Sequence, residues 1–318
     1  MKKKIIMLLS CIFIITSVFA IDTSSNMVPL DRIVAIVNIN VITESQLQHQ
    51  IAIVKMRFQQ TKMQMPSNKI LRQKVLQQLI DQQLQLQLAD KTGINVSDME
   101  ANLGIQRLAK QKNISVQELY QQVQKAGYTI REFQQEVRNQ IKIEKLQQRD
   151  VISQVRINQQ EVGDFMRTVG KSMSKEYHLQ NILIPLPDAP SPQQIAAANK
   201  QARDIIQQLK RGVSFRKLAM TKSSGKKSLQ GGDLGWRKLA ELPTVFANKV
   251  QSMKGGDVVG PIRAPNGVHV IKLLDARAAG SQAVSKKQVE QMIFRRKVSE
   301  ELEQFINTLR SQVYVKIM

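Results

Sequence analysis

The stretch HLQNILIPLP, residues 178–187, sets one amide, Asn181, in front of an apolar run that reads as a buried strand. An amide both donates and accepts, so it serves equally as a satisfied core residue or as a member of a polar site. His178 lies three residues earlier, an odd step on a strand, and the alternation of side chains sends it to the opposite face. A second histidine, His269, sits inside another apolar run, GVHVIKL. Nucleophilic and redox chemistry by cysteine is excluded from the exported chain. Cys11 is the only cysteine, and it falls in a segment that reads as removed on export. No GxxxxGK[ST] loop is present, so nothing in the sequence points to nucleotide-driven work.

The elements that must position these residues begin with MKKKIIMLLSCIFIITSVFA, which has three lysines, an apolar run, and Val18 and Ala20 at the −3 and −1 positions of a cleavage site. This pattern is that of a secretory signal peptide over residues 1–20. The apolar run is shorter than the ~20 residues that span a bilayer, and it continues too far past Cys11 for a lipoprotein box. The 318 residues are 42% hydrophobic, enough for two or three cored domains. A formal charge of +22, three units of which leave with Lys2, Lys3 and Lys4, suits anionic partners. The lysines and arginines are spread among glutamines on helix faces, which reads as solvated surface, with an anionic membrane surface or acidic client segments as the partners it favours. Export argues against nucleic acid.

Ile33–Val37 reads as a short strand. Helix starts follow at four capping boxes, Thr43/Gln46, Ser97/Glu100, Ser115/Glu118 and Thr129/Glu132, in which hydroxyl and carboxylate or amide each satisfy an orphan backbone N–H. Leu84–Ala89 alternates like a strand, but its flanks keep helical spacing and the segment is predicted helical. From Tyr177 the texture changes to a strand, a long helix opened by Ser191 and Pro192, short helices, and two strands joined at APNG. A last helix is predicted from Ser285 to about Gln312, and VYVKIM closes the chain as a strand. The first and last strands are each alone among helices and are expected to pair.

The motifs NILIP, QGGDLGW, LPTVF, GDVVGPI and GVHVIKL, in this order, resemble the parvulin family of peptidyl-prolyl isomerases over about Glu176 to Arg277. RIVAIVNINVITESQL near the start and SQVYVKIM at the end resemble the flanks of the SurA family of periplasmic chaperones. The fold class implied is multidomain: a mostly helical chaperone domain, built from N-terminal helices plus a C-terminal helix and strand, with one α+β parvulin domain inserted. The expected boundaries are 1–20 for the signal peptide, 21–172 for the helical domain, 173–277 for the parvulin domain and 278–318 for the completing helix and strand. SurA proteins commonly carry two parvulin domains; this chain shows one.

Rotation about an X–Pro bond crosses a barrier of ~18–20 kcal/mol set by amide resonance and breaks no bond. Catalysis needs an apolar grip on the ring and polar groups that favour the twisted amide, with no cofactor. The resemblance places Leu234, Leu242, Phe246 and Asn266 at the peptide pocket and His269 in the polar row beneath it. It puts Asn181 where active members usually have a histidine, and Gly225 where they have Cys or Asp, unless a shift of the loop brings Ser223 or Ser224 there. Two polar positions therefore depart from the catalytic pattern. The resemblance implies a chaperone for unfolded outer-membrane β-barrel proteins, with the outer-membrane assembly machinery as a further partner, and a working isomerase as the alternative role. Met56, Phe58, Met63 and Met65, in a Met-rich stretch, are either a client groove or core residues beside a loop.

Overall fold

The computed structural model describes residues 31–61, 65–169, 175–187, 189–278 and 285–318. The expected signal segment and Met63 lie outside the described residues. Ile33–Val37 (β1) and Asn40–Thr43 (β2) form an antiparallel hairpin, followed by helices α1 (Glu44–Gln60), α2 (Asn68–Lys91), α3 (Asp98–Gln111), α4 (Val116–Lys125), α5 (Ile130–Asp150) and α6 (Gln159–Val169). All four predicted capping boxes close, each hydroxyl accepting from the N3 backbone while the N3 side chain accepts from the cap. Glu44 in the first turn of α1 is held by Arg72 of α2, which with Gln48 and Arg32 draws its carboxyl down to about 2. Leu84–Ala89 is helical, with Leu84, Gln85 and Ala89 buried.

The two ends of the chain meet in one sheet. Val315–Ile317 (β7) pairs antiparallel with β1, Ala35 facing Ile317 and Val37 facing Val315, in the order β2-β1-β7. Beneath this sheet Val34, Val37 and Ile42 pack on Leu47 and Ile51 of α1 and on Leu71 and Ile80 of α2, with Leu309 and Val315 closing the core from the C-terminal side. Phe58 belongs to this core and is 4% exposed. It follows Val54 and Ile51 at steps of four and seven, on the stripe that α1 turns inward. The expectation that Phe58 lines an exposed groove is therefore corrected. Met56 and Met65 do reach solvent, at 39% and 37% exposure.

Between these ends lies an α+β unit of β3 (Lys175–Pro185), α7 (Pro192–Lys210), α8 (Phe215–Lys222), β4 (Asp233–Lys238), α9 (Thr244–Val250), β5 (Val258–Ala264) and β6 (Gly267–Ala278). Its antiparallel sheet runs β4-β3-β6-β5. One face takes α7 and α8 through Ile182, Ile184, Ala202, Ile205, Phe215 and Val270. The other takes α9 through Leu179, Leu242, Phe246, Val250 and Leu273. The last helix, α10 (Lys286–Ser311), is capped by Ser285 and returns the chain to the helical body. Its Val289 and Ile293 pack on Val162 of α6, and its Arg310 forks onto Asp81 of α2.

A chain ending at Ser311 loses the β1–β7 ladder, the bonds Asn38 N–H to Tyr314 O and Met318 N–H to Val34 O, and the packing of Val313 and Val315. The expected cost is about 2–4 kcal/mol, seen as a thermal midpoint lower by several degrees. A truncated protein that melts like the full chain contradicts the structural role given to this strand.

Candidate functional site

Asn181 stands on β3 opposite Ile271 of β6, and Leu183 stands opposite His269. Asn181 is drawn close to the start of β4 by its backbone N–H, which donates to Gly232 O at 2.9 Å. Gly232 adopts φ 76°, and a Cβ there would sit 2.4 Å from the Asn181 carbonyl oxygen, so only glycine permits this approach. The β5–β6 turn needs Gly267 for the same reason, since a Cβ would lie 2.2 Å from Ile184 O. That turn carries Asn266 into the structure, 5% exposed.

These elements assemble a row of hydrogen bonds. His269 is 3% exposed; its Nδ1 lies 3.0 Å from the Asn181 side-chain amide and its Nε2 lies 3.0 Å from Asn266 Oδ1. Asn266 donates its Nδ2–H to Glu303 Oε2 of α10 at 2.7 Å, which turns its oxygen toward the ring. His269 Nε2 therefore carries the proton; Asn181 faces Nδ1 with its Oδ1, and a neutral ring, whose Nδ1 accepts, is served by the same amide turned to present its NH2 end. Burial, reinforced by Arg263, holds His269 down to about 3, so the ring is neutral at any physiological pH. Phe246 stands edge-on to the imidazole at 4.8 Å between ring centres.

Above this row opens a cavity of about 730 Å³. Asn181, Gly225, Leu234, Leu242, Phe246, Asn266 and His269 all line it, so the structure gathers every parvulin position expected from the sequence. Leu242 and Phe246 form its apolar wall. Ser223 stays outside: its hydroxyl is consumed by the backbone N–H groups of Leu183 and Gly225, at 3.0 and 3.1 Å. Ser224 also lies outside this cavity, its N–H donating to Leu183 O. A Cβ on Gly225 would meet only Ser223 Oγ at 3.4 Å and Leu183 Cβ at 3.6 Å, ordinary contact, so a side chain has room there and none is present. His178 is spent elsewhere, bonded to Asp233 at 2.8 Å and stacked beside Trp236.

Sequence reasoning missed the roof of this cavity, which is α10. Arg296 Nη1 donates to Leu242 O at 3.1 Å, Glu303 receives Asn266, Asn307 Nδ2 donates to Asn266 O at 3.3 Å, and Met292 and Glu300 complete the cover. Burial raises both Glu300 and Glu303 above the usual carboxylate range, with Lys226 and Asn266 partly offsetting the effect at Glu303. The loop before β4 is pinned as well. Leu229 inserts into the helical core at 3% exposure, and Lys74 of α2 donates to Ser223 O while burial lowers its ammonium to about 8. The available signal was in α10 itself, whose apolar residues spread over more than one face, a pattern that requires more than one partner.

The neutral imidazole makes stability depend on pH. Its folded pKa lies below the ordinary 6.5, so the unfolded chain takes up a proton between 6.5 and about 3 that the folded chain refuses, and stability is lost as pH falls through that window. From pH 7 to 5 this group accounts for about 2 kcal/mol. Urea unfolding of the full chain and of His269→Gln at both pH values should show the natural protein losing about that much more than the variant. Equal losses contradict a buried neutral His269.

A family model for the SurA N-terminal domain matches residues 30–147, and one for the PPIC-type PPIASE domain matches residues 181–275. Chaperone SurA of Saccharophagus degradans is 37% identical over 273 residues, 85% of this chain and 64% of that protein. Chaperone SurA of Legionella pneumophila (strain Lens) is 40% identical over 247 residues, 77% of this chain and 58% of that protein. The chain thus spans between 58% and 64% of the length of these curated relatives. The crystal structure of a PpiC-type peptidyl-prolyl cis-trans isomerase domain is 34% identical, with TM-score 0.32, covering 35% of this chain and 98% of its own. The chain is thus similar to the SurA chaperones over most of its length, with a match to the SurA N-terminal domain followed by a match to the PPIC-type PPIASE domain.

Proposed function

We propose that this protein is a periplasmic chaperone that holds unfolded outer-membrane β-barrel proteins in extended form, and that its parvulin domain binds proline-containing segments of them without effective isomerisation. The reading takes residues 1–20 as a cleaved export signal, 21–172 with 278–318 as the chaperone body, and 173–277 as the peptide-binding insertion. Among the described residues no helix is long and apolar enough to cross a membrane. The observation that carries the proposal is the site itself: an apolar pocket for a proline ring stands over a polar row in which one position is an amide and another a glycine.

Stabilising a twisted amide requires donors and acceptors that turn from the row toward the substrate. Here His269 is held between two asparagines, with both ring nitrogens already partnered, and Gly225 offers only backbone. The row is thus satisfied as structure and retains no spare group for the reaction. Clients meet the chaperone body at exposed apolar side chains, of which Met56 and Met65 are the described members of the Met-rich stretch. The outer-membrane assembly machinery would receive the client, and the positive charge favours an anionic membrane surface nearby.

The test is a proline isomerisation assay on a short peptide beside suppression of aggregation of an unfolded β-barrel protein. The natural chain should suppress aggregation near stoichiometric amounts and leave the isomerisation rate within about twofold of the uncatalysed one, and Asn181→His alone should not raise it, because the members of one network act together. Robust isomerisation, or no effect on aggregation, overturns the reading. Photo-crosslinkers at Met56 and at Phe246 should both capture the client; capture at Phe246 alone reduces the helical body to a scaffold.

A further inference from the structure

The wall of the parvulin cavity carries a charge pattern that its proline-binding role does not require. On the parvulin domain itself, Lys226, Lys227, Arg237 and Lys238 line the opening against one carboxylate, Glu241, which is occupied in accepting from the Lys238 backbone N–H at 3.0 Å. The helix that covers the opening brings Glu300, Glu301 and Glu303 to this wall. Of the two arginines it also brings there, Arg296 is turned to Glu161 and to Leu242 O. With Arg296 so paired, the cover sets three carboxylates and Arg295 against a wall of four cations and one carboxylate.

The best-defined contact is that of Glu303. Its carboxylate accepts from Asn266 Nδ2–H at 2.7 Å, while Asn266 Oδ1 lies 3.0 Å from His269 Nε2, so the amide that receives the carboxylate is held at its other end by the buried ring. Lys226 lines the same opening as Glu303, and its charge partly offsets the burial of this carboxylate. Phe246 and Leu242, the apolar wall against which a proline ring would sit, line the same cavity as Glu303. An extended peptide seated in the cavity would place a side chain neighbouring its proline where Glu303 now rests.

We propose that the parvulin pocket selects prolyl segments with a carboxylate beside the proline, read by Asn266 and Lys226, and that Glu303 occupies this acid-binding position in the closed chain. The inference rests on the reading of the pocket as a peptide site given above. A client that carries such a segment displaces α10 by offering the same group, whereas a neutral prolyl segment must displace Glu303 without replacing it.

Two blocked peptides, acetyl-Ala-Glu-Pro-Phe-amide and acetyl-Ala-Gln-Pro-Phe-amide, titrated calorimetrically into the full chain, Glu303→Gln and Lys226→Gln, test this. The Glu peptide should bind roughly tenfold more tightly than the Gln peptide, as expected when a charge-assisted contact is made in a partly dry site. Glu303→Gln should tighten the Glu peptide several-fold by removing the internal competitor, and the exposed Lys226→Gln should shrink the preference to within about twofold. Equal binding of both peptides overturns the acid selectivity and leaves the pocket as a peptide site. A preference untouched by Lys226→Gln overturns the assignment of the reader. Binding of neither peptide by the full chain or by Glu303→Gln overturns the peptide site and this inference with it.

Discussion

A buried imidazole that cannot be protonated has to find one donor and one acceptor inside the protein, and in this chain that requirement ties the two domains together. His269 takes Asn181 from the neighbouring strand and Asn266 from the turn at its own end. Asn266 in turn needs a partner for its NH2 group, which it finds on Glu303 of α10. The row begins in the parvulin sheet and ends on a helix of the helical body. An unmade bond anywhere along it leaves a desolvated polar group, at a cost of about 1–3 kcal/mol.

The topology follows from the same helix. Because β7 pairs with β1 and α10 packs on α2 and α6, the last stretch of the chain belongs to the body that the first stretch begins, and the parvulin domain is inserted between them. α10 thus serves two neighbours at once, apolar toward α6 through Val289 and Ile293, polar and acidic toward the pocket. Leu229 makes the complementary contact from the other side, since a loop of the parvulin domain fills part of the helical core. Docking here uses Leu229 as an apolar anchor and several polar contacts from α10.

Local physical chemistry made much of the fold legible. The cap hydroxyls at Thr43, Ser97, Ser115 and Thr129 announce helix starts because the orphan N–H groups lie within three residues of them, and the strands at each end could be paired because a strand edge needs a partner, although β1 also pairs with β2, which the sequence did not announce. The pocket residues were legible only jointly, through the order of their motifs. What was not legible depends on contacts between distant segments. Phe58 looked like a member of a Met-rich surface, and only its stripe shared with Ile51 and Val54 shows that it faces inward. Nothing near Glu303 or Leu229 in sequence says that one roofs a site and the other enters a foreign core.

The claim on which this account turns is that α10 closes the parvulin pocket through Glu303. Hydrogen–deuterium exchange at neutral pH, comparing the full chain with Glu303→Lys, measures it directly, because the variant sets a cation against Lys226 and withdraws the acceptor from Asn266. Exchange should quicken over Leu242–Val250 and Ala264–His269 while the core of α1 and α2 keeps its protection. Unchanged protection at those two segments would mean that the helix does not close the site.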